Sequence, residues 1–328
     1  MNLTNLLENL THENMDGAIK FASDYLSDFM SVHTTPLGSL VAEKDGVGSN
    51  IMLEAHIDEI GFVVTKTDEK GFVKVNSYGG CDVRVLPSSD ITIYGEKSVR
   101  GVVASTPPHL SKDSDTKARE ISELIIDVGD NYKYISLGDF ATLTHNFSLL
   151  KNNCVSSPAL DNRAGVAVIL RCAQLLKDSG KKFSIALSTG EEVNGNGAAT
   201  AAFSLNPDVA VAVDVSFAKA PSIPDDKCSN LGNGPMIGVS PVLDFSISEK
   251  FIDIAKNNNI PYSKEIMGSS TGTDADHISN ALGGIKTALV SVPLRNMHTG
   301  VEIVSLDDIE ACARLISEFV INGGTDND

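Results

Sequence analysis

The sequence predicts an α/β protein in which a mixed, mostly parallel sheet is flanked by helices and the chain is interrupted by an inserted all-β domain. Its 328 residues suffice for about two domains. After Leu160, apolar segments alternate with helical patterns, which is typical of a parallel sheet covered on both faces. Before it, short β-branched runs are separated by Gly, Pro, Asp and Ser, which indicates antiparallel strands. We therefore predict a main domain from residues 1–63 and 157–328, and a β domain from residues 64–156.

The predicted elements follow in chain order. Two short helices fit the helical spacing of apolar residues within residues 1–32, and an apolar strand beginning at Ile51 ends at His56. In the insert, strands fit the runs FVVTKT, FVKVNSY, DITIYG, VRGVVAS, ELIIDVG and DFATLTH. One helix fits around Lys112–Glu123. Helices and strands then alternate over Arg163–Lys177, Phe183–Ser188, Ala198–Leu205, Val209–Val215, Ser248–Asn257, Thr287–Val292 and Leu306–Ile321.

Composition excludes several classes of function. With 42% hydrophobic and 21% charged residues, the chain can bury a core and is not disordered. A net charge of −17 opposes nucleic-acid binding and favours cations as partners. No apolar run reaches the roughly 18 residues of a membrane-spanning helix, and the first residues lack the features of a secretory signal. Five cysteines without CxxC spacing are typical of a reducing compartment, so we expect a cytoplasmic protein with no membrane partner.

Acidic and histidine side chains stand at the ends of the predicted strands. His56 and Asp58 lie two residues apart and point to the same face, which suits a metal-ligating imidazole held by a carboxylate or, alternatively, a surface hydrogen bond. Asp161 precedes a helix, where it could present a carboxylate to a ligand or cap the helix. Glu191 and Glu192 follow a buried strand and point in different directions, so one could hold a metal while the other acts on water; a solvated loop is the alternative.

Two further strand ends complete the pattern. Asp214 follows a nearly continuous apolar strand, where a charge is costly unless it is paired or coordinated, and His298 follows another such strand. Because successive strand ends of one sheet can meet at one edge, these side chains can converge. Two imidazoles and three carboxylates form a nitrogen and oxygen set suited to two divalent ions with one bridging carboxylate, namely His56, Asp161, Glu192, Asp214 and His298.

These motifs resemble metallopeptidase family forty-two, the dinuclear aminopeptidases that include glutamyl, deblocking and tetrahedral aminopeptidases, some formerly labelled cellulase M. The resemblance covers nearly the whole chain, including EAHIDEIGF, YGGCDVRVL, LDNRAG, GEEVNGNGA, VDVS, GTDA and MHTGVE. It implies an enzyme that removes amino-terminal residues from peptides with a free amino terminus. Its implied cofactors are two divalent ions per subunit, Zn²⁺ or Co²⁺, with Mn²⁺ as a further option. It also implies dimerisation through the inserted domain and a homo-oligomer that is a dimer or a tetrahedral dodecamer.

The resemblance assigns a role to each candidate residue. Two side chains would bind each ion and one carboxylate would bridge them, with His56 and Asp214 on one ion, Glu192 and His298 on the other, and Asp161 as the bridge. Glu191 would be the general base that takes a proton from water and passes it to the leaving amine. Asp58 would hold His56 in place.

Several alternatives remain open. A related dinuclear deacylase of small acylated amino acids would use a similar site, but its lid domain contains helices where this insert is β. An endoglucanase would use a carboxylate pair and favour aromatic platforms, and this chain has no Trp. A non-catalytic assembly protein would be expected to lose the base or a ligand. For the substrate we expect a neutral or aliphatic amino-terminal residue, since an acidic one needs a cation and Arg295 is the basic residue we place near His298.

Overall fold

A computed structural model describes residues 1–12, 14–110 and 120–324 of the chain. Within these ranges the α-helices are α1 (Leu3–His12), α2 (Met15–Ser27), α3 (Leu160–Leu176), α4 (Asn196–Leu205), α5 (Phe245–Asn257), α6 (Ala275–Ser279) and α7 (Leu306–Ile321). Helix α7 has the predicted bounds, and the Ser305 side chain caps it by accepting the Asp307 N–H. No helix in the described ranges is long and apolar enough to cross a membrane.

One large sheet forms the centre of the main domain. Its strands, numbered along the chain together with those of the insert, are β1 (Ser31–Thr34), β2 (Leu40–Lys44), β3 (Val47–His56), β10 (Ser148–Leu149), β11 (Cys154–Ser157), β12 (Lys181–Ser188), β13 (Val209–Phe217), β14 (Met236–Val239), β15 (Ser263–Ile266), β16 (Lys286–Arg295) and β17 (Glu302–Ser305). The main path runs β1-β2-β12-β3-β13-β16-β17-β11-β10, and β14 joins β16 to β15. The central strands β12, β3, β13 and β16 are parallel, and the flanking pairs on the main path are antiparallel. Strand β14 is antiparallel to β16 and parallel to β15.

Apolar side chains cover both faces of this sheet. On β13, Val209, Val211 and Val213 pack into the core that contains α3 and α7, while Ala210 and Ala212 pack into the core that contains α4 and α6. Strand side chains alternate between the two faces, so a strand buried on both sides must be apolar throughout. Polar side chains are therefore found mainly at the strand ends, which places a site at the edge of the sheet.

The insert forms a closed antiparallel barrel with its own core. Its strands are β4 (Gly61–Thr67), β5 (Phe72–Tyr78), β6 (Asp90–Tyr94), β7 (Ser98–Val103), β8 (Ile126–Asp127) and β9 (Phe140–Leu143), closed in the order β4-β5-β8-β7-β6-β9. Val73, Val75, Ile91 and Ile93 are buried inside it. The predicted fold, a helix-flanked α/β domain with an all-β insert, is confirmed.

The borders of the insert differ in detail from the sequence prediction. Strand β4 begins before residue 64, and the large sheet includes β10, which lies within residues 64–156, and β11, which crosses the predicted border at residue 156. The division at residues 64 and 156 therefore stays a prediction. The predicted helix over Lys112–Glu123 lies largely outside the described residues, and its described end is a 3-10 turn at Ile121–Glu123.

Candidate metal centre

The ends of four neighbouring strands bring the candidate residues together. His56 is the last residue of β3, and Asp214 lies near the end of β13. Glu191 and Glu192 follow β12, and His298 follows β16. These four strands are adjacent and parallel in the sheet, so their carboxyl ends meet at one edge, where open α/β sheets bind ligands.

Asp161, at the start of α3, lies between the two histidines. Its Oδ1 is 3.3 Å from His56 Nε2, and its Oδ2 is 3.3 Å from His298 Nε2. Asp214 Oδ1 is 3.7 Å from the same nitrogen of His56, and Glu192 Oε1 is 3.5 Å from that of His298. The structure thus forms two groups of three side chains that share Asp161, and within each group the potential ligand atoms lie within 4.8 Å of one another.

Glu191 lies beside these groups but belongs to neither. Its Oε2 is 4.0 Å from His56 Nε2, and its side chain is half-buried at the cavity wall. Adjacent residues that follow a strand point in different directions, which explains why Glu192 joins a ligand group and Glu191 does not. The carboxylate of Glu191 therefore remains available to a molecule in the cavity.

Asp58 contacts both His56 and the backbone of the two adjacent glutamates. It is fully buried, and its Oδ1 is 3.5 Å from His56 Nδ1. Its two carboxylate oxygens accept the backbone N–H groups of Glu191 and Glu192, each at 3.3 Å, and Oδ2 also accepts the Tyr78 hydroxyl at 3.4 Å. Asp58 thus lies beside His56, as the sequence predicts, and also anchors the two glutamates.

Two groups that contact His298, Glu302 and the Gly80 carbonyl, were not among the residues predicted from the sequence. Glu302 is buried, and its carboxylate accepts the backbone N–H of His298 at 2.6 Å and the backbone N–H of Asp161 at 3.0 Å. The Gly80 carbonyl, in the inserted domain, accepts His298 Nδ1–H at 2.8 Å, which leaves Nε2 facing the carboxylates. A glutamate four residues after His298 at the start of an apolar strand was the available signal for Glu302.

Burial and mutual repulsion dominate the electrostatics of the site. Burial, reinforced by Asp214 and Asp274, raises the pKa of Glu191 to about 8, and burial together with Asp161 raises the pKa of Glu192 to about 7. Burial also raises the pKa of Asp161, but hydrogen bonds with His298 and His56 outweigh it and bring the value to about 2. The hydrogen bond to Asp161 raises the pKa of His298 to about 9. Protons and metal ions compete for imidazole nitrogens and carboxylates, so a cluster of acids around two imidazoles has the composition of a candidate cation site.

The donor set fits divalent metal ions. The side chains surround a cavity of about 220 Å³, and no Lys or Arg is among its lining residues in the described part of the chain. Imidazole nitrogens combined with carboxylate oxygens are ligands that Zn²⁺, Co²⁺ and Mn²⁺ accept. A cation would offset the repulsion among carboxylates that are largely shielded from water.

The basic residue expected near the site does not line the cavity. Arg295 Nε instead donates to the Lys219 carbonyl at 2.7 Å. The wall contains another acid, Glu265 on β15, together with Phe217 and Met297. Glu265 could not be singled out from the sequence because β15 is short and half-exposed.

Comparisons with known proteins agree with this geometry. The sequence profile of the M42 glutamyl aminopeptidase family matches residues 38–315. A lysyl aminopeptidase of Pyrococcus furiosus is 31% identical over 305 residues, which cover 89% of this chain and 87% of the relative. The solved structure of an aminopeptidase from Desulfurococcus kamchatkensis superposes with a TM-score of 0.91 at 28% identity, covering 98% of this chain and 94% of the other.

A second solved structure that is similar to this chain comes from a peptidase that forms large assemblies. It is a TET1 peptidase of Pyrococcus horikoshii, with a TM-score of 0.86 and 27% identity, and it covers 97% of this chain and 99% of the other. Its description states that it can assemble into a tetrahedron or a large octahedral shell. The fold, the shared motifs and the length of the match agree, and they identify a peptide-hydrolysing enzyme. The chain therefore belongs to the M42 glutamyl aminopeptidase family.

Proposed function

We propose that this protein is a dinuclear metallo-aminopeptidase that removes single residues from the amino terminus of peptides. The observation that carries the proposal is the position of Asp161, with one oxygen toward His56 and the other toward His298, each histidine having its own second carboxylate. Peptidases of this family are metal-dependent. In this assignment His56 and Asp214 would hold one ion, Glu192 and His298 would hold the other, and Asp161 would contribute to both.

The chain's own residues supply the proton transfers and the orientation. When bound, two divalent ions polarise a scissile carbonyl and lower the pKa of a water molecule. The Glu191 carboxylate accepts a proton from the attacking water and returns it to the leaving amine, since it lies at the cavity wall outside both ligand groups. Asp58 contacts His56 and the backbone of both glutamates, so the side chains of Glu191 and Glu192 keep their different orientations.

The cavity fits the end of a peptide rather than its middle. Its volume of about 220 Å³ is below the roughly 300–1,000 Å³ of pockets for drug-sized ligands. Its acidic lining attracts a free α-ammonium group, and no Lys or Arg among the described lining residues is available to bind a peptide carboxylate.

We also infer that the chain forms a homo-oligomer with the barrel as its first contact. Support comes from the Pyrococcus horikoshii peptidase, which can assemble into a tetrahedron or a large octahedral shell, and from apolar side chains such as Leu137 and Phe140 that are exposed on the barrel. Light scattering should give a mass of at least twice 34.7 kDa. A monomer at micromolar concentration would contradict the inference.

One assay tests the proposed activity. Aminoacyl p-nitroanilides and their N-acetylated counterparts are offered to the protein before and after extended chelation, and Zn²⁺, Co²⁺ or Mn²⁺ is then restored. We expect hydrolysis of the free-amine substrates only, its loss on chelation and its return with metal. Hydrolysis of the acetylated substrates at a similar rate would favour a deacylase, and full activity in protein shown by elemental analysis to be metal-free would refute the metal mechanism.

A further inference from the structure

A carboxylate that belongs to neither ligand group is built into the wall of the same cavity. Glu265 lies on β15, which β14 connects to β16. The Ser216 hydroxyl donates to its Oε1, and the Ser291 hydroxyl donates to its Oε2 at 2.7 Å. Both serines are buried while Glu265 is half-buried. The two hydroxyl groups therefore fix the carboxylate at the cavity surface.

Glu265 has no Lys or Arg partner in the described ranges of the chain. The neighbouring Lys264 directs its amine to Glu249, at 3.6 Å, on the outside of the domain. Among the described residues that line the cavity, the basic side chains are the two candidate metal-binding histidines. A carboxylate has about four acceptor positions, and the serines fill two of them. A partly desolvated charge of this kind is costly without a counter-ion, so a cation brought by the substrate would be favourable.

Glu265 lines the same cavity as the candidate metal centre, and the two serines that hold it lie close to Asp214. Ser216 follows Asp214 by two residues on β13, a separation of about 6.6 Å along a strand, and both side chains point to the same face. Ser291 is paired with Asp214 in the register of β13 and β16. The flexible four-carbon stem of a lysine spans such a distance. Phe217 and Met297 line the cavity and offer apolar surface to the methylene groups of such a stem.

We propose that Glu265 is the specificity-determining residue and that it selects peptides whose amino-terminal residue is lysine or arginine. The proposal rests on the aminopeptidase function proposed above, and it replaces the sequence-based expectation of a neutral or aliphatic residue. The substrate's side-chain cation occupies the free acceptor positions of Glu265, while its α-amine and scissile bond lie at the metal centre. An acidic side chain in this position is rejected because it meets the Glu265 carboxylate and no Lys or Arg among the described lining residues.

Norleucine provides the discriminating probe because it has the stem of lysine without the ammonium group. Values of kcat/KM are measured for lysyl, arginyl, norleucyl and glutamyl p-nitroanilides with the wild-type protein, Glu265→Gln and the matched control Glu249→Gln. Metal content is determined for each preparation. We expect the wild type to prefer lysine to norleucine, Glu265→Gln to lower that ratio roughly 10- to 100-fold, the range for a hydrogen bond between charged groups, and Glu249→Gln to keep it.

A binding measurement separates failure of this proposal from failure of the proposed activity. Calorimetry with lysinamide and norleucinamide on zinc-loaded Glu191→Gln protein requires no turnover, and lysinamide should bind more tightly in a Glu265-dependent manner. The proposal would be overturned if Glu265→Gln left the lysine-to-norleucine ratio of kcat/KM unchanged. If kcat/KM fell equally for both substrates, the ratio would also be unchanged, and Glu265 would be assigned to binding of the α-amine. If Glu265→Gln does not fold, the wild type decides: a preference for norleucine over lysine would refute the proposal.

Discussion

The adjacent acids Glu191 and Glu192 should give opposite results when each is neutralised. Glu192 Oε1 lies 3.5 Å from His298 Nε2 within a ligand group, whereas Glu191 lies in neither group. Glu191→Gln should therefore keep both ions and lower kcat by roughly 10²–10⁴, the contribution of a general acid–base group. At about 1.36 kcal/mol per tenfold change, this corresponds to about 3–5 kcal/mol of the activation barrier. Glu192→Gln should lose metal as well as activity, because an amide replaces an anionic ligand.

The assay combines turnover of a free-amine p-nitroanilide with metal content by elemental analysis after gel filtration. The exposed Glu69 on the barrel supplies a matched control, and Glu69→Gln should leave both readouts unchanged. KM should change little in Glu191→Gln, since the base acts in the transition state rather than in substrate binding. Equal metal loss in Glu191→Gln and Glu192→Gln would refute the division between base and ligand.

Further predictions concern the groups behind the ligands and the stability of the fold. Glu302→Gln should weaken zinc binding roughly 10- to 100-fold, because it alters the carboxylate that accepts the backbone N–H groups of Asp161 and His298. Zinc affinity is measured by competition with a fluorescent chelator, and an unchanged affinity would exclude this role. Gly80→Ala should weaken zinc binding, because the added Cβ would lie 3.2 Å from His298 Nδ1. Gly283→Ala should leave zinc binding unchanged, because the added Cβ would have no neighbouring atom within 4 Å in the described ranges. An equal loss of zinc affinity in the two variants would contradict this cause. Arg163→Met should lower the free energy of unfolding in urea by about 3–5 kcal/mol, because it removes a fully buried guanidinium from the carboxylate of Glu59, which then keeps only His145 as a side-chain partner within the described ranges; a loss below 1 kcal/mol would show that the pair is dispensable.

The parts of the fold set by local pattern could be predicted from the sequence. The apolar run of β13 ends beside Asp214 because a strand covered on both faces must be apolar until it reaches the edge of the sheet. Helix α7 has the predicted bounds because an amphipathic pattern coincides with a capping serine. Convergence of the predicted site residues follows from the same logic, since the ends of adjacent parallel strands share an edge.

Contacts set by tertiary packing could not be predicted. The Gly80 carbonyl reaches His298 across 218 residues of sequence, and no local pattern encodes that contact. His298 itself adopts a φ of +62°, a conformation uncommon for residues other than glycine, and Glu302 accepts its N–H there. Glu265 belongs to a four-residue strand whose orientation depends on β14. The contacts of Gly80 and Glu302 with His298, and the position of Glu265 in the cavity wall, therefore depend on the complete fold.

The central claim is that two divalent ions share Asp161, and anomalous scattering from crystals of zinc-loaded protein tests it most directly. Data collected above and below the zinc absorption edge should give two peaks about 3.5–4 Å apart, one beside His56 and Asp214 and the other beside Glu192 and His298. Each peak should lie about 2.0–2.2 Å from its nitrogen and oxygen ligands. A single peak under saturating zinc, or peaks remote from Asp161, would contradict the dinuclear assignment.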